Sequence, residues 1–154
     1  MFKIVLVCTG NTCRSPMAAA LLTDLAAKAG LAGTILVDSA GIAAGRQPAS
    51  AAAQSVMRQA GLNLDRHYSE QLSLAQLQSA DLILTMTQAH KRAVAGMAPG
   101  MTDKIYTLAE LAGQAGDVAD PYGGSETEYR NCARQIQQLL LAAWGKIVTL
   151  AGKK

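Results

Sequence analysis

Charged residues are scarce in this chain, at 16% of 154 residues, while apolar residues make up 50%. An ordinary globular domain carries about 25% charged residues, so the deficit excludes a disordered or strongly solvated chain. Cysteine is also scarce and odd in number, with only Cys8, Cys13 and Cys132. That count argues against a secreted disulfide framework and for a reducing, cytoplasmic setting. No two cysteines have the C-x2-C spacing and the only histidines are His67 and His90, so no metal site and no cofactor is expected. No apolar run approaches the roughly 20 residues of a spanning helix; Ile4–Val7 and Leu139–Trp144 are far short, and neither signal peptide nor transmembrane helix is expected. The net charge of +3 is scattered, with Lys91-Arg92 and Lys153-Lys154 the only adjacent basic pairs, so nucleic acid is not an expected partner.

What is present is a single domain's worth of chain with no repeat, low-complexity block or linker. Short apolar runs alternate with stretches of helical period, the pattern of parallel α/β architecture. Lys3–Val7 reads as a buried strand. Ser15 reads as the cap of a helix with Pro16 at its first position, and Met17, Leu21 and Leu25 recur along it toward Gly30. Thr34–Val37 reads as a second strand, and Ser50–Ala60 as a helix stopped by Gly61. Leu82–Met86 is a third strand, followed by a short helix capped by Thr87 that ends before Pro99-Gly100. Lys104–Leu108 reads as the fourth. A long loop with Asp117, Asp120, Pro121 and Tyr122 closes at a capping box, Ser125-Glu126-Thr127-Glu128, and the last helix buries Ile136, Leu139, Leu140, Ala143 and Ile147.

Between the first strand and the first helix lies Cys8-Thr9-Gly10-Asn11-Thr12-Cys13-Arg14-Ser15, a C-x5-R-S loop. A helix N-terminus and a neighbouring arginine favour the thiolate, the reactive form of cysteine, so Cys8 is the expected nucleophile. Backbone N–H groups curled around an anion would bind phosphoryl oxygens, with Gly10 allowing the curl. Arg14 offers a planar fork that matches two oxygens at once. Ser15 is placed to donate a hydrogen bond to the Cys8 sulfur. A carboxyl on a mobile loop would supply the proton that a leaving group needs, and Asp120 is the best candidate, with Asp117 the alternative.

This loop resembles the signature of the low-molecular-weight protein tyrosine phosphatases, in particular bacterial members. Asp38-Ser39-Ala40-Gly41, His67 ahead of Gln71-Leu72, the Asp81–Met86 strand and Asp120-Pro121-Tyr122 extend the resemblance over nearly the whole chain. The resemblance implies a single α/β domain with a four-stranded parallel sheet in the order 2-1-3-4 and helices on both faces. It implies that Cys8 attacks phosphorus, that Thr9 to Ser15 bind the phosphoryl group, and that Asp120 protonates the tyrosyl oxygen and then activates water, releasing inorganic phosphate. It further implies that Asn11, Ser15, Ser39 and His67 form a network holding the loop, and that Cys13 can protect Cys8 from peroxide by forming a disulfide. Cys132 is expected to be a small core residue.

The segment Ile42-Ala43-Ala44-Gly45-Arg46 lacks the aromatic residue of better-known members, so Ile42 and Tyr122 are the expected walls of the aryl slot. In this it is similar to members associated with the tyrosine kinases of polysaccharide export, which makes an autophosphorylated kinase a candidate partner. Two other readings share the loop. A thiol-dependent arsenate reductase would need shuttle cysteines after the third strand, where Thr85-Met86-Thr87-Gln88-Ala89-His90 has none. A phosphotyrosine- or anion-binding module without turnover would have no use for both Cys8 and Asp120.

Overall fold

The computed structural model describes all residues, Met1–Lys154. Strand β1 (Phe2–Cys8) leads into helix α1 (Arg14–Lys28), then β2 (Ile35–Gly41) and α2 (Ala51–Gln59). They are followed by α3 (Leu74–Ser79), β3 (Leu82–Thr85), α4 (Gln88–Met97), a 3-10 segment (Pro99–Lys104), β4 (Ile105–Thr107), α5 (Leu108–Leu111) and the long α6 (Glu126–Gly152). The sheet is parallel, in the order β2-β1-β3-β4, as expected.

Alternation along the strands explains why both faces are covered. Ile4, Leu6 and Cys8 of β1 and Leu82 and Leu84 of β3 enter a large apolar cluster with α1, α2, α5 and α6. Val5, Val7, Ile83 and Ile105 point the other way, into a smaller cluster with Leu77 of α3 and Val94 of α4. Successive side chains of a strand point to opposite faces, and each large apolar side chain so buried stabilises the fold by roughly 1.5–3 kcal/mol. The five α6 residues expected to be buried all are. No helix is long and apolar enough to cross a membrane.

Several boundaries differ from the sequence reading, each for a local reason. Helix α1 starts at Arg14, not after Ser15; Cys13 takes the cap position without a side-chain bond, because the Ser15 hydroxyl is engaged elsewhere. Pro16 is therefore the third helical residue, still within the first turn, where backbone N–H groups have no helical acceptor. Strand β2 runs on to Gly41 because it pairs with β1 over its whole length, from Phe2–Ile35 to Cys8–Gly41. Tertiary pairing here overrides the weak strand preference of Asp38 and Gly41. Strand β4 stops at Thr107, whose hydroxyl accepts from the Glu110 N–H and caps α5. Only half of the Ser125 box forms, the bond from Glu128 N–H to Ser125 Oγ, whereas a full reciprocal box at Ser73 and Gln76 starts α3.

β1 sits between β2 and β3, so the chain leaves it toward opposite sides in turn. Its carboxyl end is the switch point at which open parallel sheets place ligands. There Gly41 passes so close that an added Cβ would lie 2.5 Å from the Thr9 carbonyl oxygen and 3.1 Å from the Asn11 Cβ. Gly41→Ala must displace backbone, and a loss of roughly 1–3 kcal/mol is expected in urea unfolding; an unchanged midpoint would show that the approach is not tight.

Candidate active site

The loop that follows β1 turns through Asn11, whose φ of 57° is the only positive value at a non-glycine residue. Asparagine tolerates the left-handed region better than most residues, and here its side chain holds it there. The Asn11 Oδ1 accepts the Glu70 backbone N–H at 2.9 Å, which fixes the orientation of the amide. Its Nδ2 must then donate to both remaining partners, Ser15 Oγ at 2.8 Å and Ser39 Oγ at 3.0 Å. His67 Nε2 lies 2.8 Å from the Asn11 carbonyl; a carbonyl only accepts, so this nitrogen carries the ring proton. The structure thus brings Asn11, Ser15, Ser39 and His67 together.

The same proton count reaches the sulfur. Ser15 Oγ accepts from Asn11, which leaves its own hydrogen free to point at Cys8 Sγ, 2.8 Å away. The Asn11 backbone N–H donates to the same sulfur at 3.3 Å. Two donors therefore converge on Cys8, an arrangement that favours negative charge on sulfur.

Arg14 is buried, with Nη1 donating to the Val118 carbonyl at 2.9 Å and Nη2 lying 3.7 Å from Asp120 Oδ2. The guanidinium thereby joins the loop to the segment that carries Asp120. Val118 is anchored in turn by its N–H to the Met86 carbonyl at 2.9 Å. Asp117 is committed elsewhere, accepting the Gln88 N–H at 2.9 Å at the start of α4. Of the two candidate acids only Asp120 lines the pocket.

That pocket has a volume of about 320 Å³, and Cys8, Thr9, Thr12 and Arg14 of the loop line it. One wall is Ala43, Gly45 and Gln47, and the other is Asp120 and Tyr122. Ile42, expected as a wall, packs instead against the smaller apolar cluster below the sheet; its neighbour Ala43 faces the pocket. Both residues lie in the turn that follows β2, beyond the strand pairing that ends at Gly41. Tyr122 does line the pocket and is 75% exposed. The 45–47 wall is clamped by Ser69, whose Oγ donates to the Gly45 carbonyl and accepts the Gln47 N–H.

The other two cysteines are buried. Cys132 is buried on α6 and burial pushes its thiol up to about 12, as suits a small core residue. Cys13 Sγ lies 3.2 Å from the Tyr129 hydroxyl, and burial together with that thiol pushes the phenol up to about 12. Sequence reasoning missed His90. It is 4% exposed, with Nε2 2.8 Å from Thr9 Oγ1 and Nδ1 buried without a partner. Burial, then the charge of Arg14, push it down to about 4, against a weaker pull from Asp117 and Asp120. Its only sequence signal was its place three residues after the Thr87 cap, at the carboxyl end of β3.

The sequence model of the low molecular weight phosphotyrosine protein phosphatase family matches residues 3–149, and the chain belongs to this family. It is 40% identical over 141 residues to a protein-arginine-phosphatase of Bacillus subtilis, covering 89% of this chain and 91% of that one. It is 37% identical over 127 residues to the low molecular weight protein-tyrosine-phosphatase YfkJ of the same species, covering 79% and 81%. The crystal structure of a low molecular weight protein tyrosine phosphatase from T. tengcongensis superposes with a TM-score of 0.90 at 35% identity, covering 95% of this chain and 99% of that one.

Two outcomes follow from the geometry. Ser15→Ala removes a donor to sulfur, so alkylation of Cys8 by iodoacetamide at pH 6, read by mass spectrometry, is expected to slow about tenfold; equal rates would mean that Ser15 does not favour the charged sulfur. His90 resists protonation in the fold down to about 4, against 6.5 for an ordinary histidine. The unfolded chain therefore takes up a proton that the fold refuses, and stability falls as pH drops from about 6.5 toward 4. Urea unfolding of His90→Gln is expected to lose less stability than wild type over that interval.

Proposed function

We propose that the chain hydrolyses phosphorylated protein side chains in two steps through a phosphocysteine, with phosphoarginine as the preferred substrate. The observation that carries the chemistry is the meeting of Cys8 and Asp120 in the lining of one pocket. The Cys8 thiolate attacks phosphorus as the bond from phosphorus to the leaving nitrogen or oxygen breaks, and Asp120 gives that atom its proton. Asp120, now a carboxylate, takes a proton from water; the water oxygen attacks phosphorus, the S–P bond breaks, and Cys8 thiolate and inorganic phosphate are released. Arg14 and the N–H groups of the loop from Thr9 to Ser15 hold the phosphoryl oxygens. Cys13, in the same loop, is read as the thiol that captures an oxidised Cys8.

The preference for phosphoarginine rests on the walls. With Ile42 turned away, the slot is bounded by Thr12, Gln47 and Asp120, all able to accept from a guanidine, and by the small Ala43 and Gly45. The 40% identity to a protein-arginine-phosphatase supports the same reading. Phosphotyrosine is the second reading, favoured by the Tyr122 ring at the mouth and by the 37% identity to a tyrosine phosphatase; its partner would then be an autophosphorylated tyrosine kinase. Three free cysteines suit a reducing cytoplasm.

The test compares kcat/KM for one peptide sequence carrying phosphoarginine or phosphotyrosine. A preference of about tenfold or more for phosphoarginine is expected, as for a site whose polar groups go unpaired with the wrong substrate. The opposite preference selects phosphotyrosine, and turnover of neither overturns the function. Asp120→Asn should lower kcat by roughly 10² or more on either peptide.

A further inference from the structure

His90 reaches the cradle from the far side of β3, and its contact with Thr9 has a direction that can be worked out. The ring is nearly sealed from solvent, has one bonded nitrogen and one orphan, and is neutral at ordinary pH. A neutral imidazole carries one N–H. Were it on Nδ1, the fold would enclose a donor with no acceptor; on Nε2, it leaves only an acceptor unpaired. Buried orphan N–H groups are the rarer and costlier case, so the proton belongs on Nε2 and is donated to Thr9 Oγ1.

The consequence falls on Thr9. Its oxygen already accepts from His90, its own hydrogen has no acceptor in the protein, and the residue is exposed and lines the pocket. Its backbone is held as well, since the Thr9 carbonyl accepts the Ala43 N–H at 3.0 Å and Gly41 packs against it. The hydroxyl rotor is the remaining freedom, and the ring of His90 fixes it. We propose that His90 is a positioning residue that holds the Thr9 hydroxyl as a donor aimed into the phosphate pocket, where it adds a neutral hydrogen bond to the phosphoryl group. A donor set in place before the anion arrives costs no reorganisation on binding or in the transition state. The inference rests on the phosphatase reading but not on which side chain is dephosphorylated.

Binding of inorganic phosphate, measured by calorimetry, tests it, with turnover of p-nitrophenyl phosphate followed in parallel. Thr9→Val and His90→Leu are each expected to weaken phosphate about tenfold, the worth of one hydrogen bond to a charged group. The double variant should be no weaker than either single one, because both remove the same bond. Thr9→Ser and His90→Gln, which keep the hydroxyl and an amide donor, should bind phosphate within about twofold of wild type. Wild-type affinity in Thr9→Val, or a double variant weakened by the product of the two single effects, overturns the proposal. If His90→Leu does not fold, Thr9→Val against Thr9→Ser and His90→Gln still decides. A wild-type chain that binds phosphate but leaves p-nitrophenyl phosphate intact refutes the phosphatase reading instead, and the binding comparison stands apart from it.

Discussion

At Asn11 three distant segments meet: the loop after β1, the end of β2 through Ser39 on the side-chain amide, and the 67–70 segment through Glu70 on the amide and His67 on the main-chain carbonyl. The amide satisfies a left-handed backbone turn that a non-glycine residue rarely adopts, and so fixes the curvature of the cradle. The same amide sets the direction of the Ser15 hydroxyl, and through it the charge that the Cys8 sulfur can hold. A loop with this shape but without Asn11 would have to find another set of donors and acceptors for each of these groups. Gly41 is the steric counterpart, since only a residue without Cβ lets β2 pass so near.

Arg14 is the second constraint. A buried guanidinium with one carbonyl at 2.9 Å and one carboxylate at 3.7 Å is under-compensated, because burying a charge costs several kcal/mol unless close partners offset it. An incoming phosphoryl dianion offsets it better than Asp120 does, so on the proposed mechanism part of the substrate's binding energy comes from relieving that deficit. The contact to Val118 also ties the segment that carries Asp120 to the cradle. Beneath both, the two-sided core of β1 packs Cys8 at the end of the strand.

Much of this was legible in the residues. The strand-loop-helix order, the four strands and the last helix follow from apolar periodicity, and the cradle follows from Cys8, Gly10, Asn11, Arg14 and Ser15 standing where a strand feeds a helix. What periodicity could not supply were features set by tertiary partners. Ser15 resembles a helix cap by type, but its hydroxyl is bound to Asn11 and Cys8, so the helix begins earlier. Ile42 resembles a slot wall by position, but in the turn after β2 it packs half-buried against the smaller apolar cluster, and Ala43 lines the pocket. Asp117 and Asp120 were separable only once Gln88 was seen to occupy the first. His90 carried no motif, and only its burial and its contact with Thr9 mark it.

The central claim is a covalent phosphocysteine on Cys8, formed and then hydrolysed in one pocket. Acid-quenched turnover of p-nitrophenyl phosphate, whose leaving group needs little protonation, by Asp120→Asn, analysed by intact mass and peptide mapping, tests it most directly, because loss of the group that activates water then slows breakdown of the intermediate more than its formation. Two-step hydrolysis predicts a phosphoryl adduct on Cys8 and on no other residue. Turnover with no adduct, or an adduct that maps to Cys13 or a histidine, contradicts it.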